Sequence, residues 1–314
     1  MKGISMLNRH FTERKMYVFA VLAVLALLLL AGCGNSTSAS PASSSSSTTS
    51  SQNVSVNTVV TVTTTPSSGD SAQATLKHMP TGTANLSWDH TTKMLTVQVM
   101  LTGLAPNSTH PNHIHDGSCA NQGKVLYPLS NLVADAHGVA NATSKIALPN
   151  GIPAKGIYLN VHNGPGLAPA DQFLPIVCSD ITNHDTSLRS SQVVQLALQS
   201  APNSSQNEDA SGVVHLSISG HTLKVQLEIS GLEPHSQHAA HIHAGSCASQ
   251  GAVLYPLEVV KADAAGKATV TTTIQNVTAI PSTGWYVNVH RSTDLSTQTG
   301  FDPTSCGDVT LNRV

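Results

Sequence analysis

An internal duplication constrains this sequence more than any other feature. The run His-Pro-Asn-His-Ile-His-Asp-Gly-Ser-Cys at residues 110–119 recurs as His-Ala-Ala-His-Ile-His-Ala-Gly-Ser-Cys at residues 238–247, an offset of 128 residues from His113 to His241. The same offset needs no gap to relate further groups: Tyr127-Pro128-Leu129 and Tyr255-Pro256-Leu257, Tyr158 and Tyr286, Asn160-Val161-His162 and Asn288-Val289-His290, and Cys178 and Cys306. A fixed internal period predicts two copies of one structural unit.

Each copy has the pattern of short β-strands. Apolar and polar residues alternate in five segments, and turn residues such as 89–92 and 219–221 join neighbouring segments. The segments are residues 84–88, 94–101, 157–162, 213–218 and 223–229. The pattern predicts an all-β chain of two tandem Greek-key β-sandwich or barrel domains. We expect these domains at residues 72–183 and 190–312, with a linker at 184–189.

The N-terminus has the pattern of a secretory signal. Basic residues precede an apolar run at residues 16–30, which is somewhat short for a bilayer-spanning helix of about 20 apolar residues. The Leu-Ala-Gly-Cys ending at residues 30–33 resembles the bacterial lipobox, where the chain is cleaved before an acylated cysteine. We therefore expect a lipoprotein signal peptide at residues 1–32 and lipidation of Cys33. The alternative is a plain signal anchor with an incidental cysteine.

Residues 33–71 are dominated by Ser and Thr and lack apolar periodicity. Such a composition cannot bury enough surface to offset chain entropy, so it predicts a disordered tether. Together with the signal, this predicts an extracytoplasmic lipoprotein held to the membrane at a bacterial cell surface or in the periplasm.

The charge balance excludes one class of partner. With 15 Lys and Arg against 17 Asp and Glu, the formal net charge is −2. A nucleic-acid-binding protein would show a basic surplus or a basic face, so no nucleic-acid partner is expected. The composition is instead unusual in its 16 histidines, which suggest metal chemistry or pH sensing.

The five cysteines fit the duplication. Cys119 and Cys178 are 59 residues apart, as are Cys247 and Cys306, at equivalent places in the two copies. One disulfide in each domain is the simple pairing, and chain entropy gives each about 4 kcal/mol of stabilisation. The fifth is Cys33. A cysteine metal site is a poor alternative, because no two cysteines are close in sequence.

Four histidine positions recur in both copies. Two of them are separated by one residue, so on a strand they project to the same face: His113 and His115 in the first copy, His241 and His243 in the second. A third imidazole, from His162 or His290, completes a three-nitrogen set if its strand lies alongside. Imidazole suits Cu, Zn, Ni and Fe. The alternative is that these histidines bond loops and each other in the core. Histidines without a partner at the offset, such as His78 and His137, are expected to be solvated.

These motifs resemble two related families. His-x-x-His-x-His, a cysteine soon after, a later Val-His and a late cysteine follow the order of the copper/zinc superoxide dismutases. The chain is more similar to the CHRD domain, a chordin-type module found in tandem in secreted bacterial proteins and resembling the dismutase sandwich. The markers are His-Ile-His-x-Gly-x-Cys, Tyr-x-Asn-Val-His and Cys-x-Asp (178–180 and 306–308). CHRD domains have no settled activity.

The dismutase resemblance implies roles for the repeated histidines. It puts His113, His115 and His162 at three of the four copper ligands, as it does His241, His243 and His290. It puts His110 and His238 at a histidine that supports a loop without binding metal, and the cysteines at the intradomain disulfide. The cofactor it implies is copper or zinc.

The chain also departs from the dismutases. The histidine that bridges copper and zinc would fall at Val125 and Val253, the zinc loop is missing after Pro128, and the arginine that steers superoxide is replaced by Pro175 and Pro303. Fast capture of superoxide depends on positive potential at the site. We therefore do not expect efficient dismutation.

Three hypotheses for function remain. In the first, the chain is a surface-tethered binding module for an extracellular protein or glycan partner, with any metal structural or none bound. In the second, it is a protein that binds copper or zinc outside the cell. In the third, it is a dismutase-like copper oxidoreductase with a reduced, zinc-less site. No catalytic residue is assigned, and a resemblance in fold does not by itself confer a function.

Lipidation is tested at Cys33. Replacing Cys33→Ser removes the thiol that would carry the acyl chains, so the protein should move from the membrane fraction to the soluble fraction. Fractionation followed by immunoblotting measures this. Membrane retention of the variant would contradict the lipoprotein assignment.

Overall fold

A computed structural model describes residues 68–200, 207 and 209–312. Within these residues the regular structure is almost entirely β, with two four-residue helices, α1 (Ala170–Phe173) and α2 (Gln298–Phe301). The strands before residue 190 are β1 (Ser68–Gly69), β2 (Ser71–His78), β3 (Thr81–Asp89), β4 (Met94–Thr102), β5 (Thr109–His110), β6 (Asn112–Gly117), β7 (Gln122–Pro128), β8 (Leu132–Val133), β9 (Ala140–Ala147), β10 (Ile157–His162) and β11 (Pro175–Ile181). Those after it are β12 (Gln192–Leu198), β13 (Ser211–Ser219), β14 (Thr222–Ser230), β15 (Gln237–His238), β16 (Ala240–Ser246), β17 (Ser249–Pro256), β18 (Val260–Lys261), β19 (Ala268–Gln275), β20 (Ile280–Pro281), β21 (Trp285–His290), β22 (Pro303–Asp308) and β23 (Thr310–Leu311).

The predicted strands and hairpins are confirmed. All five alternating segments lie in strands, and the turns at 89–92 and 219–221 join the antiparallel pairs β3–β4 and β13–β14. β4 shows why the pattern is informative: Leu95, Val97, Val99 and Leu101 are buried, while the residues between them are not. An antiparallel strand with one face on a core has this alternation.

Each repeat forms a β-sandwich. In the first repeat, one sheet has the order β11-β10-β6-β7 and the other β12-β3-β4-β9. In the second repeat, the corresponding strands form one continuous curled sheet, β17-β16-β21-β22-β2-β13-β14-β19, in which β23 also pairs with β2. The all-β class with two tandem sandwiches is therefore confirmed.

The repeats exchange a strand. β12 follows the first repeat in sequence but pairs with β3 along its length, from Gln192 opposite Trp88 to Leu198 opposite Gly82. β2 begins the first repeat but pairs with β13 and β22 of the second. The apolar residues of each exchanged strand lie in the core of the sandwich that the strand joins. Val194, Leu196 and Leu198 of β12 lie in the first core, and Ala72, Ala74 and Leu76 of β2 lie in the second.

The exchanged strands therefore cross the predicted boundaries. The segment 72–183 does not contain all of one sandwich, because its first strand completes the other, and the segment 190–312 likewise contributes β12 to the first. Alternation shows that one face of a strand is buried, but not which sheet buries it. At the end of the segment predicted as a tether, 33–71, Ser68 and Gly69 pair with Pro281 and Ile280, and Ser71 begins β2.

The predictions for the N-terminus lie outside the described residues. These are the signal peptide at 1–32, lipidation at Cys33 and the tether up to residue 67. Among the residues that are described, no helix is long and apolar enough to cross a membrane.

The structure contains both predicted disulfides. Cys119 bonds to Cys178 and Cys247 to Cys306, with Cα atoms 5.9 and 5.8 Å apart. In each repeat the bond ties the loop after the His-x-His strand to the strand beside the later histidine. Disulfides of this kind persist in oxidising compartments, which indicates a secreted or extracytoplasmic chain.

Two fragments of similar length test the strand exchange. Residues 79–200 contain every strand of the first sandwich, including β12, and should give a dispersed amide spectrum and a cooperative thermal transition. Residues 72–183 follow the sequence repeat but lack β12, so the apolar face that Leu196 covers would be open to water. This fragment should lose the cooperative transition. Equal stability of the two fragments would contradict the exchange.

Candidate metal centres

The first three-histidine cluster (site 1) is built by two neighbouring strands. β10 pairs antiparallel with β6, with Asn160 opposite His113 and Tyr158 opposite His115. Residues two apart on a strand share a face, so His162, two residues beyond Asn160, comes to the same face as both histidines of β6. Ile114 points to the other face and lies in the core. All three imidazoles are buried.

The second repeat forms the same cluster (site 2). β16 pairs with β21, with His241 opposite Asn288 and His243 opposite Tyr286, and His290 ends β21. His243 and His290 are buried, and His241 is partly exposed. The two predicted sets of three are therefore brought together, each in its own sandwich.

In both sites the three ring nitrogens are close enough for one ion. One nitrogen from each imidazole lies within 4.8 Å of the others. Zinc–nitrogen bonds of about 2.0–2.1 Å in a tetrahedral site put ligand nitrogens roughly 3.3 Å apart. Closing either site around an ion therefore takes side-chain shifts on the order of 1 Å, which a rotation about χ2 supplies.

Backbone carbonyls orient two imidazoles in each site. His115 Nδ1 lies 3.1 Å from the carbonyl oxygen of Gly123, and His162 Nδ1 lies 2.6 Å from that of Phe173. A carbonyl only accepts, so each Nδ1 carries the proton and each Nε2 is left as a lone pair. The same bonds join His243 to Gly251 (3.0 Å) and His290 to Phe301 (2.6 Å). This support by a second group is typical of metal-binding histidines.

The nitrogens that face one another have few other partners. His115 Nε2 and His243 Nε2 are buried without a hydrogen bond among the described residues, as is His113 Nδ1. In site 2, His241 Nδ1 lies 3.1 Å from His290 Nε2 and donates to it, because His290 already donates from Nδ1. In site 1, the amide of Asn160 lies 3.5 Å from His162 Nε2 and is the one hydrogen-bonding group that reaches it from the described part of the chain. A cation would satisfy the converging lone pairs, so the residues fit a bound metal ion.

Burial keeps these imidazoles uncharged. Desolvation, reinforced by neighbouring imidazoles, lowers the pKa of His113 to about 4. Desolvation lowers the pKa of His290 to about 4 as well, although its bond to Phe301 opposes the shift. Burial also lowers the pKa values of the four remaining site histidines. Neutral imidazole is the form that binds metal ions.

A close backbone approach explains the bond to Gly123. The β6–β7 register shifts on both sides of His115, and this irregularity brings the two strands together. A Cβ atom at Gly123 would lie 2.1 Å from the carbonyl oxygen of Asp116, and one at Gly251 would lie 2.2 Å from that of Ala244. Only glycine fits there, and it presents its carbonyl to the second imidazole of the His-x-His pair.

His110 and His238 lie behind the sites. His110 Nδ1 is 2.8 Å from the carbonyl oxygen of His162, and its Nε2 is 2.7 Å from Ser108 Oγ. His238 makes the equivalent contacts with His290 (2.9 Å) and Ser236 (2.7 Å). Both ring nitrogens of each histidine are therefore hydrogen-bonded, and these histidines hold the backbone at His162 and His290, which supply the third imidazole of each site.

From the sequence alone, several neighbours of the sites were assigned no role there. Tyr158 stacks on His115 and Tyr286 on His243, with ring centroids 4.9 Å apart in both pairs. Burial raises the pKa of Tyr158 and raises that of Tyr286 to about 12, so both phenols stay neutral. The duplication could have pointed to these neighbours, because Tyr158, Gly123 and Phe173 all recur 128 residues later.

Two other histidines are not simply solvated. His78 is partly buried, and its Nε2 lies 3.0 Å from the carbonyl oxygen of Ile176, so β2 also contacts the first repeat. His137 Nδ1 lies 3.1 Å from the carbonyl oxygen of Gln250 in the second repeat. Both contacts follow from the docking of one repeat on the other, which the sequence did not predict.

Comparison of the chain with models of known protein families identifies its family. The family model of the CHRD domain matches residues 46–165 and 185–294, which together are more than half of the chain. The chain belongs to the CHRD family. Among the curated proteins compared with the chain, none matches. The two CHRD matches contain all six histidines of the two sites.

The Cys-x-Asp marker of this CHRD chain has a structural role. Asp180 Oδ1 accepts a hydrogen bond of 2.7 Å from the backbone N–H of Cys119, and Asp308 Oδ1 accepts one of 2.8 Å from Cys247. Each carboxylate therefore fixes the loop that follows the His-x-His strand at its disulfide.

The buried histidines predict an acid-sensitive fold. An unfolded histidine has a pKa of about 6.5, so the unfolded metal-free chain takes up protons before the folded chain does. The free energy of unfolding should therefore fall as the pH is lowered from about 6.5 to about 4. Chemical denaturation of the metal-free chain between pH 7 and pH 4 measures the slope.

Two double variants show which histidines cause this dependence of stability on pH. His113→Asn/His290→Asn removes the two most shifted groups and should flatten it, whereas His184→Ala/His215→Ala changes two exposed histidines and should leave it unchanged. An unaltered slope in the first variant would mean that other groups cause the acid sensitivity.

Proposed function

We propose that this chain is an extracytoplasmic lipoprotein whose two CHRD domains form a metal-binding module, with one copper or zinc ion at each histidine site. The support is the arrangement of the imidazoles, since ring nitrogens of three neutral imidazoles converge within 4.8 Å while backbone carbonyls hold the opposite nitrogens of two imidazoles in each site. A core packed for stability alone gains nothing from facing lone pairs, because each buried acceptor without a donor costs free energy. A cation turns the same arrangement into a stabilising one.

Copper and zinc suit this donor set best. Three imidazoles without a carboxylate or a thiolate favour Cu(II) or Zn(II), and an all-nitrogen site generally binds Cu(II) more tightly than Zn(II). Three protein ligands leave a further coordination position for water or an external ligand. In site 1, His113, His115 and His162 would hold the ion. In site 2, His241 would first move its proton from Nδ1 to Nε2.

The chain's own residues favour binding over dismutation. At the dismutase bridging position stand Val125 and Val253, which lie opposite His115 and His243 on the neighbouring strands and are 46% and 48% exposed. Valine neither ligates a second metal nor carries a proton. Pro175 and Pro303 supply no positive charge where the dismutases steer an anion. We therefore propose capture or buffering of metal outside the cell.

Anchoring at Cys33 would hold the module at the membrane. Acyl chains on the first residue of the mature protein, followed by a Ser- and Thr-rich spacer, would keep the two sandwiches close to the surface while they sample the surrounding solution. An extracellular protein or glycan partner would then meet a metal-loaded module.

Metal stoichiometry tests the proposal. The purified full chain without a His-tag is stripped of metal, titrated with Zn(II) or Cu(II), and assayed for bound metal after gel filtration. We expect about two ions per chain, with Cu(II) displacing Zn(II). His113→Ala/His241→Ala removes one ligand from each site and should lose both ions, whereas His184→Ala/His215→Ala should retain both.

The opposite results are equally informative. Equal metal content in the two double variants would place the metal on surface histidines. No bound metal in the unaltered chain would mean that the six imidazoles are structural residues. The hypothesis of a module that binds an unidentified extracellular protein or glycan would then remain.

A further inference from the structure

One segment of the second repeat contacts both sites. It consists of residues 297–302, which include α2, and we call it the bridging segment. The carbonyl oxygen of Phe301 lies within this segment and accepts the 2.6 Å hydrogen bond from His290 Nδ1. The segment therefore orients an imidazole of site 2 directly.

The same segment holds the backbone around site 1. The side-chain amide of Gln298 donates to the carbonyl oxygens of Thr109 (2.9 Å) and Asn163 (3.0 Å), and its oxygen accepts from the N–H of Thr109 (2.9 Å). Asn163 follows the ligand candidate His162, and Thr109 precedes His110, which bonds the His162 carbonyl. The side chain of Gln298 in repeat 2 thus fixes the backbone next to His162 and the backbone next to His110, which itself bonds the His162 carbonyl.

Two further contacts extend this connection. Thr299 Oγ1 donates to Asp171 Oδ2 at 2.9 Å, and Asp171 lies in α1, whose Phe173 carbonyl orients His162. Asp302 Oδ1 accepts from the N–H of Ala105 at 2.8 Å and lies 4.0 Å from His110 Nε2, in a region with almost no solvent exposure. Each site is therefore within two or three contacts of the other.

The duplication shows that these contacts are specific to one repeat. At the equivalent positions of repeat 1, Gln298 is replaced by Ala170 and Asp302 by Leu174, while Phe301 and Phe173 match. Alanine and leucine cannot make these hydrogen bonds. The carbonyl that supports the third histidine is thus common to both repeats, whereas the contacts that Gln298 and Asp302 make with the other repeat belong to the second alone.

We infer that the two sites are coupled through the bridging segment, so that a metal ion at one site raises the affinity of the other. This inference rests on the proposed metal binding. α1 and α2 are single helical turns, and fixing such short segments costs conformational entropy. An ion that immobilises His162 fixes α1 and its contacts with the bridging segment. The second ion then binds to a segment that is already ordered, and this gives positive cooperativity without a change of structure.

Zinc titrations of the full chain test the coupling. Calorimetry gives both binding constants of the unaltered chain, His115→Ala isolates site 2, and His243→Ala isolates site 1. We expect the second ion to bind at least about fivefold more tightly than the same site binds alone, at the low end of typical coupling. His115→Gln and His243→Gln repeat the measurement where an alanine variant folds poorly.

The bridging contact itself is changed at Thr299. Thr299→Val keeps the shape but loses the hydroxyl that bonds Asp171, and it should reduce the coupling towards onefold. Thr299→Ser keeps the hydroxyl and should retain the coupling. Ser296→Ala, an exposed neighbour outside the bridging segment, is the control and should also retain it.

Hydrogen exchange gives a second readout. In the His243→Ala variant, Zn(II) binds only at site 1, yet amide exchange of residues 297–302 should slow on zinc addition, and it should not slow in the His243→Ala/Thr299→Val variant. Two independent constants, equal to those of the single-site variants, would overturn the coupling and leave the proposed function in place. No zinc binding by any of these chains would overturn both.

Discussion

The register between the His-x-His strand and the strand of the later histidine is the constraint on which both sites depend. In each repeat these strands are antiparallel neighbours, and a residue opposite the first histidine lies two positions before the third. Because side chains alternate with a period of two, three imidazoles come to one face while the intervening Ile114 and Ile242 enter the core. A shift of one residue would exchange these faces, so the apolar core and the ligand set specify the same register.

The strand exchange and the bridging segment make the two repeats one unit. Each sandwich is completed by a strand from the other half of the sequence, and each buries that strand's apolar side chains. Away from the exchanged strands, near the histidine sites, Gln298, Thr299 and Asp302 connect the two repeats through hydrogen bonds. A single copy of the domain would lack both connections. Tandem duplication in this chain therefore supplies stability to each fold and a physical link between the two sites.

The sequence predicted the fold class, the disulfides and the six clustered histidines because the duplication marked the positions that matter. It could not predict the partner of β2 or β12, since an alternating strand does not reveal which sheet it joins. The carbonyls of Gly123 and Phe173 were also missed, because every residue has a carbonyl and only the fold selects which one meets an imidazole. Gln298 and Asp302 were missed for the opposite reason, as they differ between the repeats and a search for matching positions passes over them.

The central claim is that the converging imidazoles hold metal, and anomalous diffraction from crystals of the zinc-loaded chain tests it most directly. Data collected on either side of the zinc absorption edge locate each ion without assuming its ligands. Two anomalous peaks are predicted, one within about 2.0–2.1 Å of ring nitrogens of His113, His115 and His162, and one equivalently placed among His241, His243 and His290. Peaks confined to exposed histidines such as His184 and His215, with none in either cluster, would contradict the claim.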